Sequence, residues 1–228
     1  GRGLVLGGLR DRGIDPAGLF TGEGHAPAVV APQEVGRVPV GAEALDCPDW
    51  LLGPLQAALG GACDAVLQAM RARAPVFLRV NEAKVGTAAA RAVLAEDGIA
   101  TELTPIAKTA LEVTENARKV QTSRAYTEGL VELQDAASQA VVLALPLQDG
   151  MVVLDYCSGG GGKALAMAAR AKIKVFAHDA ELRRMQDIAP RAKRAGVSIA
   201  IADNPAKAAP YDLILADAPC SGSGSWRR

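Results

Sequence analysis

The chain has 228 residues, half of them hydrophobic, with 25 Lys and Arg against 25 Asp and Glu. That is enough apolar material for one sizeable core or two smaller ones, and the zero net charge removes the global basicity that would mark a nucleic-acid partner. No apolar run nears the roughly 18 residues of a membrane span; four scattered cysteines and two unclustered histidines disfavour a disulfide framework or zinc site and fit a reducing cytoplasm.

In chain order, residues 1–46 are rich in Gly, Pro and Ala with weak periodicity, and read as a linker or the remnant of an upstream domain. The absence of an initial methionine and the stop at Arg228 directly after a motif predict a fragment at both ends. From Cys47, Leu51, Leu52, Leu55 and Leu59, then Val66, Leu67 and Met70, recur at helical spacing, which predicts two short amphipathic helices with Trp50 packing them against a neighbour. Residues 75–80 (PVFLRV) predict a strand, 87–97 a helix stopped by Gly98, and 111–114 another strand. Residues 47–128 are thus expected to form a small α+β subdomain. Arg79 and Asn81, at the end of its first strand, are placed where a phosphate or base could be met.

Leu130 to Leu133 is short and apolar, and Asp135 suits the N-cap of a helix with Ala136, Ala140, Val141 and Ala144 on one face. Residues 151–163 (MVVLDYCSGGGGK) then read as a buried strand ending in Asp155, a turn of four glycines and the start of a helix through Arg170. So many missing side chains serve a sharp bend or a ligand that comes close, with the free N–H groups of the helix aimed at it. Residues 173–177, 197–201 and 211–216 are continuous apolar runs, as in a parallel sheet covered on both faces. Between the first two lies a helix with Leu182, Met185, Ile188 and Ala192 inward, which Pro190 is expected to kink or end. The fold class that follows is α/β, a Rossmann-like doubly wound parallel sheet over residues 129–228 preceded by the α+β subdomain.

In such sheets the ligand meets the carboxyl ends of the strands, here Asp155, the glycines, His178, Asp179, Asp203 and Asp217. A phosphate-binding P-loop fails, because Cys157 and Ala164 stand where its first glycine and its Ser or Thr belong. A dinucleotide site is compatible with the glycine run and with Asp179 some 20 residues on. S-adenosylmethionine, with a cationic sulfonium, an amino group and a ribose diol, suits the acids better, Asp179 accepting from the ribose and Asp203 lying near the adenine amine. The final stretch, ADAPCSGSGSWRR, ends a strand in Asp217, presents Cys220 after Pro219, and lets the glycine backbone pass close to a flat base whose edge Asp217 could bind.

LVELQDAASQ, VLDYCSGGGGK, Ala-His-Asp at 177–179 and DAPCSGSG together resemble the Sun/Fmu (RsmB) family of S-adenosylmethionine-dependent RNA cytosine-5 methyltransferases. PDWLL at 48–52 and PVFLRVN at 75–81 are similar to that family's small RNA-binding subdomain. The turn departs from the family's CAAPGGKT, with Ser158, Gly160 and Ala164 in place of Ala, Pro and Thr. The resemblance implies that Cys157, Ser158, Gly159, Gly160, Gly161, Gly162 and Lys163 wrap S-adenosylmethionine, with Asp179 at its ribose, Asp203 at its adenine and Asp217 at the edge of the active site. It further implies that a thiolate adds to C6 of cytosine and makes C5 nucleophilic, from a later Thr-Cys-Ser motif not among these residues, while Cys220 matches the cysteine that assists product release. Such a chain is expected to bind cofactor better than it turns over.

Residues 170–194 hold eight Lys or Arg against three acids, a phosphate-pairing patch or, more simply, a solvated helix face. Arg79, Asn81, Arg227 and Arg228 flank the expected cleft and are the stronger RNA-contact candidates. The sequence therefore predicts a cytoplasmic, monomeric RNA cytosine-5 methyltransferase that binds ribosomal RNA and no membrane or metal. A catalytically silent RNA-binding or assembly factor of the same fold stays open, and a nicotinamide-dependent oxidoreductase ranks last because it gives PCSG no role.

Overall fold

A computed structural model describes residues 1–220 and 222, which divide into two compact units, 1–74 and 75–222. The first unit begins with helix α1 (Arg2–Asp11), where a linker or remnant was expected. Leu6 and Leu9, one turn apart, bury against Phe20 and give this stretch a small core of its own. Helices α2 (Asp49–Leu59) and α3 (Cys63–Arg71) follow as the leucine spacing predicts, around buried Cys47, Cys63 and Leu67. Trp50 does not pack them: it is 75% exposed, because Leu51, Leu52 and Leu55 occupy the inward stripe of α2. By length and composition alone the run Asp49–Arg71 could cross a membrane, contrary to the sequence expectation, but it is interrupted between α2 and α3 by Gly60 at φ +53°.

The second unit opens with β1 (Val76–Val80), α4 (Thr87–Glu96), β2 (Thr101–Leu103), β3 (Ala110–Val113), α5 (Arg124–Thr127) and β4 (Val131–Leu133). The strands form an antiparallel sheet in the order β2-β3-β1-β4. Residues 129–133 accordingly belong with this sheet, not with the parallel one that follows. Val131 and Leu133 pair with Val80 and Leu78, and the period-two alternation sends these side chains to the core that α4 covers with Ala90 and Leu94. The opposite face of the same strands carries Phe77, Arg79 and Glu132. Strand β2 has no sequence signal, since only Thr101 of its three residues is buried.

Helix α6 (Ala136–Ala144) starts where predicted, with the Asp135 carboxylate accepting from the Ala137 amide at 2.9 Å. Ala136, Ala140 and Leu143 pack on Phe77, Ala107 and Ala110 of the antiparallel sheet, while Val142 enters the core of the parallel sheet with Val153 and Met167. One helix thus serves both sheets, and Val141, expected inward, is left outside.

Then come β5 (Val152–Asp155), α7 (Gly162–Arg170), β6 (Lys174–Ala177), α8 (Ile188–Ala195), β7 (Ile199–Ile201) and β8 (Leu213–Leu215), all strands parallel in the order β7-β6-β5-β8. The fold class read from the sequence holds. Pro190 neither kinks nor ends α8: it lies in its first turn, where a missing N–H leaves no bond unmade, and a separate 3₁₀ turn (Leu182–Met185) precedes it. Met185, Ile188 and Ala192 are buried as expected, whereas Leu182 is exposed. Among the described residues, β5 and β6 alone have neighbours on both sides within this sheet; on the outer strands Ile201 and Ile214 stay exposed.

Candidate active site

The carboxyl ends of β5, β6 and β8 meet at the glycine turn, where the Ser158 amide donates to His178 O and the Tyr156 amide to Leu215 O, both at 2.8 Å. Asp155 closes β5, while Asp179, Asp203 and Asp217 each stand just beyond the ends of β6, β7 and β8. Buried β5 hands directly into the turn, where Gly159 and Gly161 adopt φ +50° and +79°, a region costly for residues with a side chain. At Gly161 a Cβ would also meet Ile188 Cγ1 at 2.8 Å, so this position accepts nothing larger.

Asp179 is 3% exposed and closes the turn from outside, its carboxylate accepting from the Gly159 amide at 2.9 Å and the Glu181 amide at 3.0 Å. Burial pushes its pKa up, but those amides, with Arg184 and His178, outweigh burial and hold it below the ordinary carboxylate value. Arg184, 3.2 Å away, covers it, so Asp179 does not stand open at the strand end as the sequence reading had it. Asp203 is exposed.

Lys163, in the first turn of α7, pairs with Asp217 beyond β8. This contact joins the two motifs read separately in the sequence, because β5 and β8 are neighbours in register, Asp155 beside Leu215. Cys220, three residues past Asp217, is exposed, and Cys157 is half-buried in the turn. Arg227 and Arg228 lie outside the described residues.

Asp155 was read only as a strand-end acid, yet it is the most unusual group here. It is 1% exposed, and the Ser158 hydroxyl and Ala164 amide that face its carboxylate stand outside close hydrogen-bond geometry. Burial raises its pKa to about 6, opposed by nearby Ser158, Lys163 and the Ala164 amide. A buried carboxylate held this loosely is costly, and it marks a place suited to a cationic or hydrogen-bonding ligand. Tyr156, 45% exposed, adds a ring 5.0 Å from that of His178.

Arg79 and Asn81 are corrected. Both are buried, at 5% and 3% exposure, and Arg79 Nη1 and Asn81 Nδ2 are engaged within the protein, so neither side chain is open to RNA. Arg79 Nη1 donates to the Gly162 carbonyl at 2.8 Å and to Gln134 Oε1. Asn81 Nδ2 donates to the carbonyls of Gly129 and Ala195 at 2.9 and 2.8 Å, and Lys84 Nζ to those of Glu128 and Arg194. The last two acceptors of α8 are therefore capped from the antiparallel sheet, with a cation at the negative end of the helix dipole. A strand's polar end is usually solvated, and nothing local in the sequence foretells partners more than 100 residues away.

Two sequence profiles match the chain, one described as Methyltr_RsmF/B-like, ferredoxin-like domain over residues 47–121, the other as 16S rRNA methyltransferase RsmB/F over residues 142–228. The chain belongs to the RsmB/F methyltransferase family. This RsmB/F chain is similar to ribosomal RNA small subunit methyltransferase B of Xanthomonas campestris pv. campestris, 32% identical over 215 residues that are 90% of this chain and 49% of that protein. The protein of the same name from Vibrio cholerae is 29% identical over 235 residues, 100% of this chain and 51% of that one. The RsmB/F chain spans about half the length of the curated relatives it matches. A methyltransferase homolog protein from Pyrococcus horikoshii is 25% identical with a TM-score of 0.70, over 79% of this chain and 62% of that one. NSun6 from Pyrococcus horikoshii, 15% identical with a TM-score of 0.66 over 76% of this chain and 71% of that one, shares the fold. The antiparallel sheet is thus the family's ferredoxin-like domain and the parallel sheet its methyltransferase domain.

Proposed function

We propose that this chain forms the ferredoxin-like domain and cofactor cradle of an enzyme that methylates C5 of a cytosine in small-subunit ribosomal RNA, with S-adenosylmethionine as donor. The observation that carries the reading is the Lys163–Asp217 pair, which puts the glycine turn and the D-A-P-C motif at one site. S-adenosylmethionine would supply an electrophilic methyl group. The residues present fit it: buried Asp155 offers negative charge toward its cationic amino-acid end, and the first-turn amides of α7 suit its carboxylate. Asp179 would take the ribose hydroxyls once Arg184 swings aside, and exposed Asp203 would take the adenine. Cys157 to Lys163 would line the cradle.

Asp217, released from Lys163, would hold the amino edge of the pyrimidine, and Lys163, left as a positive group beside it, would balance the negative charge that thiolate addition puts on the ring. Cys220, exposed just beyond, is assigned to release of the methylated base. The acting thiolate is assigned to another segment of the family's fold, as the sequence resemblance implies. RNA is the proposed partner and the cytoplasm the proposed compartment, with the chain a monomer. Arg227 and Arg228 remain proposed RNA contacts; Arg79 and Asn81 do not.

Calorimetric titration with S-adenosylmethionine tests the cradle. The wild-type chain is expected to bind, and Asp179→Ala, which frees the Gly159 amide and removes the ribose acceptor, to bind at least about tenfold more weakly, the equivalent of about 1.4 kcal/mol. A folded wild-type chain that does not bind contradicts the proposal.

A further inference from the structure

We propose that Arg79 and Arg191 are positioning residues for the cofactor: their guanidinium groups hold two carbonyls of the glycine turn, so that the ferredoxin-like domain sets the shape of the cradle. This rests on reading the turn as the S-adenosylmethionine site.

Arg79 Nη1 donates to Gly162 O at 2.8 Å, and Arg191 Nη1 donates to Gly160 O. Both arginines are tied to the antiparallel sheet. Arg79 is part of β1, opposite Glu132 of β4 in register, and its Nη1 also reaches Gln134 Oε1. Arg191 Nε lies 3.4 Å from Glu132 Oε2, which takes a second bond from Arg194 Nη2 at 2.7 Å. Glu132 is itself buried, at 5% exposure, so its carboxylate is a fixed anchor and not a mobile surface charge.

The turn needs such an anchor. Residues 159–162 have no side chains to pack, and fixing four glycines costs more backbone entropy than fixing any other four residues. Its own restraints are the Gly161 amide on Ser158 O at 2.9 Å, the Gly159 amide on Asp179, and the Leu165 amide on Gly161 O at 2.9 Å, which leave the Gly160 carbonyl to Arg191. Because a peptide unit is planar and trans, pinning the Gly162 carbonyl toward Arg79 turns the Lys163 N–H the opposite way, and pinning the Gly160 carbonyl does the same for Gly161. The arginines thereby fix the direction of amides at the entrance of α7, the groups an anionic part of a ligand would meet. Burial makes the Arg79 guanidinium costly and draws its pKa down to about 10. Apolar residues could join the two sheets without that cost; what they could not do is donate to the turn's carbonyls.

Hydrogen exchange and calorimetry on Arg79→Met, Arg191→Met and the two Arg→Lys variants test the pair, with thermal melting as the folding control. In both Met variants, exchange in peptides covering residues 156–166 is expected to speed at least tenfold while peptides covering 110–113 keep wild-type rates. Affinity for S-adenosylmethionine is expected to fall about tenfold, and the Lys variants to recover part of both. Should Arg79→Met fail to fold, Gln134→Met and Arg191→Lys carry the same comparison. Wild-type exchange and affinity in folded variants overturn the clamp, as does lowered stability with turn exchange and affinity unmoved. A wild-type chain that does not bind S-adenosylmethionine overturns the reading of the site instead, and exchange at the turn still reports whether the arginines hold it.

Discussion

Asp155→Asn is expected to make the chain more stable at neutral pH and worse at binding S-adenosylmethionine. The Asp155 carboxyl is 1% exposed, faced only loosely by the Ser158 hydroxyl and the Ala164 amide, and burial raises its pKa to about 6, against a usual carboxylate value near 3.8. Between those two values the folded chain holds more protons than the unfolded one, so stability falls as pH rises through the window, and above about pH 6 the full cost of the buried charge is present. Two pKa units correspond to about 3 kcal/mol. An uncharged amide is also costly to bury, so the net gain expected from Asn is about 1–2 kcal/mol at pH 7, turning into a loss of about 1 kcal/mol near pH 4, where the wild-type carboxyl is protonated in the folded chain. Urea unfolding at pH 7 and pH 4 checks this, and calorimetry at pH 7 is expected to show at least about tenfold weaker cofactor binding. A group kept at the expense of stability is one whose charge is used. If the variant is no more stable at pH 7 than at pH 4 relative to wild type, Asp155 is satisfied in a way this structure does not show.

Gly129→Ala carries the largest expected loss of stability. Gly129 sits at φ +70°, and a Cβ there would lie 1.9 Å from the Arg194 carbonyl oxygen and 2.6 Å from its carbon. These are backbone atoms at the end of α8, which cannot step aside as a flexible side chain can. Relief requires parting the 128–130 segment from α8, which would strip Asn81 and Lys84 from the helix's last carbonyls. Left-handed backbone for alanine costs about 1–2 kcal/mol and the overlap adds about 1–3 kcal/mol, so about 2–5 kcal/mol is expected in denaturant unfolding. For a chain of this size that is roughly 10 °C in melting temperature. A loss under 1 kcal/mol would mean that the two domains are not joined along this seam.

The seam also shows what the sequence could reveal and what it could not. The strand, turn and helix from Met151 to Arg170 were legible, because an apolar run ending in Asp155 and followed by four glycines has few alternative structures. Asp135 was legible as a cap because capping is local chemistry. Arg79 and Asn81 were not: a polar residue on a strand looks the same whether water or a distant carbonyl satisfies it, and here the acceptors at Gly162 and Ala195 lie 83 and 114 residues away. The place of Leu130 to Leu133 failed for a related reason, since an apolar run does not declare which sheet it joins; its pairing with β1 is long-range. Trp50 misled because size was taken for burial, although the leucines beside it already filled the inward stripe of α2. At the candidate site, the acids at the strand ends were visible, but not that Asp179 is enclosed by Arg184 whereas Asp155 is buried and only loosely held.

The claim on which the rest depends is that the glycine turn and the strand-end acids form one cradle for S-adenosylmethionine. Amide resonances of the isotopically labelled chain, followed during titration with S-adenosylmethionine and separately with NAD, test it most directly. The expected result is saturable shifts at residues 157–163, 179 and 203 with S-adenosylmethionine and none with NAD. Shifts confined to other parts of the chain, or a response to NAD alone, would contradict it.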